Sequence, residues 1–163
     1  QEVARVLDDA VASCKIRTLG VSNFTQAQFA ALQHFLGNKL VSTQPEISPL
    51  RITCFENGEL DQAMMLGLTP LAWSPLGGGR LAAPETACDK AVAAALDSVA
   101  EAQGVSRTVA AYSWLMAHPA GIIPIIGSQN AARIAEGAAA LTVRWTRTDW
   151  YAVLVAARGV PLP

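Results

Sequence analysis

Four short clusters of amide, hydroxyl or indole side chains each stand at the end of a predicted strand. They are Ser22-Asn23, Gln44 with Glu46, Trp73-Ser74, and Gly127-Ser128-Gln129-Asn130. Hydroxyl and amide side chains can donate and accept hydrogen bonds, and an indole offers a flat face for stacking. These residue types together suit a flat ring that carries a primary amide, such as nicotinamide.

A glycine-rich stretch follows the third cluster. Residues 71–73 read as the end of a buried strand, and Pro75 with the glycines at 77–79 prevents regular structure from continuing. The backbone N–H groups of such a loop can bind a phosphate. The helix start after Gly127-Ser128 offers a second phosphate site, and Arg133 one turn later can meet a ribose phosphate or lie over adenine.

Hydrophobic periodicity places these clusters at the ends of strands that alternate with helices. Predicted strands cover residues 16–21, 40–43, 69–73 and 122–126. Predicted helices cover residues 2–14, 25–36, 56–66, 87–103, 106–117, 130–140 and 146–157, with Thr25, Ser106, Asn130 and Thr146 at their starts. The last strand is apolar throughout, which is typical of a strand buried on both faces.

Strands that alternate with helices indicate a parallel α/β sheet built from right-handed βαβ units. Two architectures fit: an open doubly wound sheet, or part of a (β/α)8 TIM-type barrel. A complete barrel takes about 250 residues. The 163 residues of this chain would supply only its C-terminal half, as four βα units preceded by one helix. In either architecture ligands bind at the carboxyl ends of the strands, where all four clusters fall.

Composition excludes several classes of protein. Hydrophobic residues make up 52% and charged residues 15%, so residues 1–163 can form the core of one domain and disorder is excluded. A net charge of −1 without a basic patch argues against nucleic acid, and the apolar runs are too short to span a membrane. Three scattered cysteines predict reduced thiols in a cytoplasmic protein and no metal site.

Other catalytic chemistries lack their signatures. The sequence contains no GxSxG, no GxxxxGK[ST] and no GxGxxG after its first strand. Glu46 is the single acidic residue at a strand end, so paired-carboxylate chemistry is not expected. Each candidate also has a structural explanation on its own, Trp73 as core and Arg133 as a solvated helix face. The functional interpretation depends on their meeting at one rim.

Four segments resemble the motifs of aldo-keto reductases and occur in the family's order. They are Gly20-Val21-Ser22-Asn23-Phe24, Gln44-Pro45-Glu46-Ile47-Ser48-Pro49, Trp73-Ser74-Pro75-Leu76-Gly77-Gly78-Gly79-Arg80-Leu81, and Ile123-Pro124-Ile125-Ile126-Gly127-Ser128. The resemblance covers essentially the whole chain and is strongest to bacterial members with the triple-glycine loop. It implies a (β/α)8 barrel that uses NADPH to reduce aldehydes or ketones.

The resemblance also implies which residues bind the cofactor. In chain order they are Ser22, Asn23, Gln44, Trp73, Ser74, Leu76, Gly77, Gly78, Gly79, Gly127, Ser128, Asn130, Arg133 and Glu136. The first three would hold the nicotinamide carboxamide, and Trp73 would stack on the ring. The loop residues would lie along the diphosphate, and those from Gly127 onward would surround the adenosine.

Some positions depart from the family pattern. Trp73 stands where many members have tyrosine, Gly127 where a lysine is common, and Gly137 where an asparagine is usual. The family's catalytic Asp, Tyr, Lys and His come from the first half of the barrel, so we assign no catalytic residue here. Tyr112 and Tyr151 fall inside predicted helices and are poor substitutes for the proton donor.

Three hypotheses follow. Because the sequence begins at Gln1 within a predicted helix, we expect the C-terminal half of an aldo-keto reductase that is active only when whole and acts on a small carbonyl compound. A second hypothesis is a stand-alone half-barrel that dimerises through its two open strand edges and at most binds a nucleotide. A third, an open-sheet Rossmann-type dehydrogenase, lacks its glycine fingerprint.

Overall fold

The computed structural model describes residues 1–161 and contains four short parallel strands that alternate with helices. The strands are β1 (Leu19–Ser22), β2 (Leu40–Gln44), β3 (Thr69–Ala72) and β4 (Ile123–Pro124). The helices are α1 (Glu2–Ala12), α2 (Gln26–Phe35), α3 (Glu59–Leu66), α4 (Ala87–Gln103), α5 (Arg107–Met116), α6 (Ala131–Gly137) and α7 (Arg147–Arg158). Short 3-10 turns cover Thr53–Phe55, Gly77–Gly79 and Ala138–Leu141. The predicted order of elements is confirmed.

Side-chain caps determine where most helices begin. Thr25 forms a capping box with Gln28, in which each side chain binds the other residue's backbone N–H. Thr86, Ser106 and Thr146 each accept the backbone N–H of the residue three positions later, at the starts of α4, α5 and α7. Because these signals are local, the helix boundaries predicted from the sequence lie within three residues of those observed.

The strands pair in chain order, β1-β2-β3-β4, and every pair is parallel. Alternate strand residues are buried against helices: Leu19 and Val21 pack with α1 and α2, and Ala72 packs with α5. The helices therefore cover one face of the sheet. A doubly wound sheet has helices on both faces, whereas consecutive units of a (β/α)8 barrel keep them on one. The predicted half-barrel fold is confirmed.

In the described part of the chain, no helix covers the other face of the sheet, which we call the inner face. Leu71 lies opposite Ile123 there, and Ile123 and Ile125 remain 52% and 37% exposed. The expectation that the fourth strand is buried on both faces is therefore wrong, since its helix-facing residue Ile122 is buried and its inner-facing residues are not. In a closed barrel, side chains from the remaining strands would fill this space.

Two strands are at least two residues shorter than their apolar runs predict. β1 begins at Leu19 instead of residue 16, and its register with β2 shifts after Leu19. β4 pairs regularly with β3 over two residues only, although the N–H of Ile125 still donates to the carbonyl of Ala72 at 2.9 Å. Apolar composition marks where a strand runs, but pairing with its neighbour decides its length.

The main hydrophobic core lies between the sheet and helices α4, α5 and α7. Trp114 is completely buried and stacks on Trp150, with ring centroids 5.0 Å apart and an interplanar angle of 14°. Each indole N–H donates to the main-chain carbonyl of the other tryptophan, at 3.0 and 2.9 Å. This reciprocal pair joins α5 to α7 on the helix side of the sheet.

Candidate cofactor site

Three strand ends bring predicted cofactor ligands together at one rim of the inner face. Ser22 follows the buried Val21 of β1, Gln44 follows the buried Thr43 of β2, and Trp73 follows the buried last residue of β3. All three side chains therefore emerge on the inner face. Ser22 lies opposite Gln44, and Trp73 forms an isolated parallel bridge with Glu46.

The main-chain carbonyl of Gln44 organises the end of β1. It accepts the hydroxyl of Ser22 at 3.0 Å and the backbone N–H of Asn23 at 3.2 Å. Asn23 has φ of +55°, in the left-handed region that asparagine tolerates better than most residues. This conformation turns the chain sharply out of β1, so that the Asn23 side chain lies over the strand ends.

A side-chain hydrogen bond spans the rim from β3 to β1. The indole Nε1–H of Trp73 donates to the Oδ1 of Asn23 at 2.8 Å. Because Trp73 donates to that oxygen, the Asn23 amide presents its NH2 group as a donor. The Ser22 hydroxyl uses its hydrogen in the bond to the Gln44 carbonyl, so its oxygen can accept. One donor and one acceptor side by side are the complement of a primary carboxamide.

A depression of about 330 Å³ lies beside this rim and carries charge. Glu46 lies 3.7 Å from Arg51, and Glu59 accepts a hydrogen bond from the thiol of Cys54 at 3.2 Å. Burial and the neighbouring Glu59 raise the pKa of Cys54 to about 12, so the residue stays a thiol and is no nucleophile. Trp73 forms one wall.

The glycine loop adopts backbone angles that would be strained for any residue other than glycine. Gly77, Gly78 and Gly79 have φ of +63°, +66° and +92° in succession. A Cβ at Gly77 would lie 3.0 Å from the side chain of Leu50, whereas nothing lies within 4 Å of one at Gly78 or Gly79. The loop borders a cavity of about 190 Å³ lined by Leu76, Leu81, Ala82 and the first residues of α5.

The last group of predicted ligands surrounds the start of α6. Asn130 is the N-cap, and its side chain accepts the N–H groups of Ala132 and Arg133 at 2.9 and 3.2 Å. The hydroxyl of Ser128 accepts the N–H of Asn130 at 3.1 Å. These N–H groups are therefore occupied within the chain. A phosphate at this helix start stays a prediction and would rely on side chains such as the exposed Arg133.

Glu136 accepts a hydrogen bond from Ser106, a residue predicted from the sequence only as a helix cap. The hydroxyl of Ser106, which also caps α5, donates to the carboxylate of Glu136 and joins α5 to α6. Ser74 and Leu76 lie at the start of the glycine loop, and Ser74 has φ of +51°. The predicted ligands thus form two groups, one at the strand rim and one where the loop, α5 and α6 meet.

Tyr112 is the buried tyrosine that lies nearest to the predicted ligand Glu136. Tyr112 is 4% exposed, and burial with the nearby Glu136 raises the pKa of its hydroxyl, which makes it a poor proton donor. The described residues contain no group of three or more side chains placed to hold a metal ion. None of the helices found there is long and apolar enough to cross a membrane.

Comparison with known proteins agrees with this geometry. A family model described as the aldo/keto reductase family matches residues 1–154. A 6-dehydroglucose reductase of Novosphingobium aromaticivorans is 83% identical over 162 residues, which are 99% of this chain and 53% of the relative. A 6-dehydroglucose reductase of Agrobacterium fabrum is 40% identical over 159 residues, 98% of this chain and 52% of the relative. The chain spans about half the length of these curated relatives.

Solved structures show the same fold. A thermostable aldo-keto reductase aligns with a TM-score of 0.82 at 19% identity, over 94% of this chain and 53% of that chain. An aldose reductase of Giardia lamblia aligns with a TM-score of 0.80 at 22% identity, over 98% of this chain and 50% of that chain. At these identities the likeness concerns the fold alone.

Proposed function

The chain belongs to the aldo/keto reductase family, and we propose that it forms the cofactor-binding half of an NADPH-dependent carbonyl reductase. One observation carries this proposal. Ser22, Asn23, Gln44 and Trp73 come from three different strand ends and emerge on one rim, with the donor and acceptor that a nicotinamide carboxamide needs. Ser22 would accept from the amide N–H, and Asn23 would donate to its oxygen.

The remaining predicted ligands support the same cofactor. Trp73 would cover one side of the nicotinamide ring, and its position is fixed by the bond to Asn23. The glycines would let the chain approach a diphosphate closely, because they carry no Cβ. Arg133 is exposed and charged, which suits the 2′-phosphate that distinguishes NADPH from NADH.

The chemistry would require residues beyond those of this chain. When bound, NADPH supplies a hydride to the carbonyl carbon, and the oxygen must then receive a proton from a nearby acid. Tyr112 is buried with a raised pKa, and Tyr151 lies within α7 on the helix side of the sheet. We propose that the family's Asp, Tyr, Lys and His lie in the other half of a whole barrel, and that the chain alone is inactive.

The names of two relatives suggest a substrate class. Both 6-dehydroglucose reductases are named for a sugar that carries an extra carbonyl group. We propose an aldehyde or ketone of a sugar as the substrate of the whole protein. The free thiols of Cys14, Cys54 and Cys88 are consistent with a reducing cytoplasm.

A second candidate function follows from the uncovered inner face. Leu71, Ile123 and Ile125 leave apolar surface there, and β1 and β4 have unpaired outer edges. Two copies of the chain that pair through these open edges would cover this surface. Such a dimer would hold no catalytic set and would at most bind a nucleotide.

The first experiment is to read the coding DNA on both sides of this segment and to express the entire reading frame. The proposal predicts that the whole protein binds NADPH and consumes it when a sugar aldehyde is added, followed by absorbance of the reduced nicotinamide. The chain alone, at the same concentration, is expected to show no turnover. A reading frame limited to these residues, with a dimer in size-exclusion chromatography and light scattering, would instead favour the second candidate.

A further inference from the structure

We propose that two arginine–aspartate pairs, Arg80 with Asp89 and Arg107 with Asp97, fix the outgoing end of the glycine loop and so position its backbone for the cofactor diphosphate. This inference rests on the proposed function. The four side chains are positioning residues, since they would act through the main chain of the loop. The geometry of each pair points to this role independently.

The first pair holds the residue that directly follows the three glycines. Nε and Nη2 of Arg80 donate to the two carboxylate oxygens of Asp89 at 3.3 and 2.5 Å. Asp89 is 1% exposed, lies in the first turn of α4, and also accepts the hydroxyl of Thr86 at 2.6 Å. The Arg80 and Thr86 donors hold the pKa of Asp89 well below its usual range, so it stays charged.

The second pair holds the next residue by its main chain. Nη1 of Arg107 donates to the carbonyl of Leu81 at 2.7 Å. Its Nε and Nη2 donate to the two oxygens of Asp97 at 2.7 and 2.5 Å. The fork-to-fork pairing leaves the guanidinium one orientation. The Leu81 carbonyl is thereby fixed from α5, while Asp97 anchors the arginine to α4.

The contrast with the glycines shows what the pairs restrain. Gly78 and Gly79 have open space where a side chain would begin, so neighbouring side chains do not limit their backbone. Three successive glycines also leave the unbound loop with many accessible conformations. Fixing Arg80 and Leu81 removes much of that freedom before a ligand arrives. Restraint of this kind improves affinity because less disorder remains to be lost on binding.

A purely structural role is the competing interpretation. Both aspartates lie on α4, and Arg107 is the first residue of α5, so the second pair also joins these helices. A joint between helices would affect stability but not the affinity for NADPH. A measurement that separates affinity from stability therefore decides between the two roles.

The test uses the whole protein encoded by the reading frame, with the variants D97N and D89N and the control E85Q. Glu85 is an exposed carboxylate close to the same pairs, and its side chain does not take part in them. We expect Asp97→Asn to raise the Kd for NADPH about tenfold. Its urea unfolding midpoint should stay close to that of Glu85→Gln. Because Asp89 is buried, Asp89→Asn is judged only if it folds, and Asp97→Asn decides the outcome without it.

Limited trypsin digestion gives a second readout that needs no cofactor. Trypsin cuts after arginine, and cleavage between Arg80 and Leu81 requires both the Arg80 side chain to leave Asp89 and the Leu81 carbonyl to leave Arg107. Mass spectrometry should find this cut several-fold faster in both aspartate variants than in Glu85→Gln. Faster cleavage with unchanged NADPH affinity would overturn the positioning role, and so would unchanged cleavage. A parent protein that does not bind NADPH at all would overturn the proposed function itself.

Discussion

Trp73→Phe tests the hydrogen bond that spans the rim. Phenylalanine keeps an aromatic face on β3 but lacks the N–H that donates to Asn23 at 2.8 Å. This bond is already formed before the cofactor binds, so its own energy affects stability and not the Kd. Its loss releases the Asn23 side chain, which must then be ordered when the cofactor binds, at a cost of about 1 kcal/mol. That cost corresponds to a Kd for NADPH roughly fivefold higher.

The same change should affect stability little. Asn23 is exposed and Trp73 only partly buried, so water can replace the lost bond. We expect the free energy of unfolding to fall by about 1 kcal/mol or less. The measurements are NADPH titration of the whole protein and urea unfolding followed by circular dichroism.

Trp145→Phe is the matched control. The Trp145 indole N–H also donates to a side chain, the hydroxyl of Ser113 at 2.9 Å, but it lies in the helix core away from the rim. Since Ser113 is 3% exposed, losing this bond should cost about 1–3 kcal/mol of stability and leave the Kd unchanged. A Kd for Trp73→Phe within twofold of the parent protein would refute the reasoning.

Two further predictions concern the fold. His118 accepts the N–H of Ala120 at 3.1 Å, and burial lowers its pKa below the usual 6.5. The unfolded chain therefore takes up a proton first as pH falls, so urea unfolding should show stability that declines from pH 7 to pH 5. His118→Asn keeps an acceptor for the Ala120 N–H but does not titrate, so it should make this decline less steep. A Cβ on Gly20 would lie 2.1 Å from the Ser42 hydroxyl, so Gly20→Ala should cost about 1–3 kcal/mol in denaturant unfolding, with partial recovery when Ser42→Ala is added. Gly127→Ala, with nothing within 4 Å, should stay within about 0.5 kcal/mol, and an equal loss at both glycines would contradict the packing argument.

Local signals explain why most of the fold was predictable. Thr25 with Gln28, and single caps such as Ser106, act within three residues and can be read directly from the sequence. Strand lengths were less predictable, because β4 ends where its pairing with β3 ends. Its burial was mispredicted for a related reason. An apolar run such as residues 122–126 does not reveal whether anything packs on its second face.

The candidate site also has features that the sequence predicts and features that depend on the packing. Ser22 and Gln44 could be placed at strand ends from the sequence, and the register shows that they lie opposite each other. The hydrogen bond between Trp73 and Asn23 joins residues fifty positions apart, and no sequence pattern predicts it. Ser106 looked like an ordinary helix cap, and its second contact with Glu136 depends on how α5 and α6 pack.

The order of the strands has a consequence for how the chain acquires its structure. Because the sheet order is β1-β2-β3-β4, each strand finds its partner in the segment synthesised just before it. Folding can then proceed from one unit to the next during translation, without waiting for a distant segment. The inner face is different, since the described residues provide nothing to cover it. If the first half of the barrel is synthesised before these residues, its strands are available to cover the inner face; the same chain made alone leaves this apolar surface exposed, and a chaperone would then be of most use.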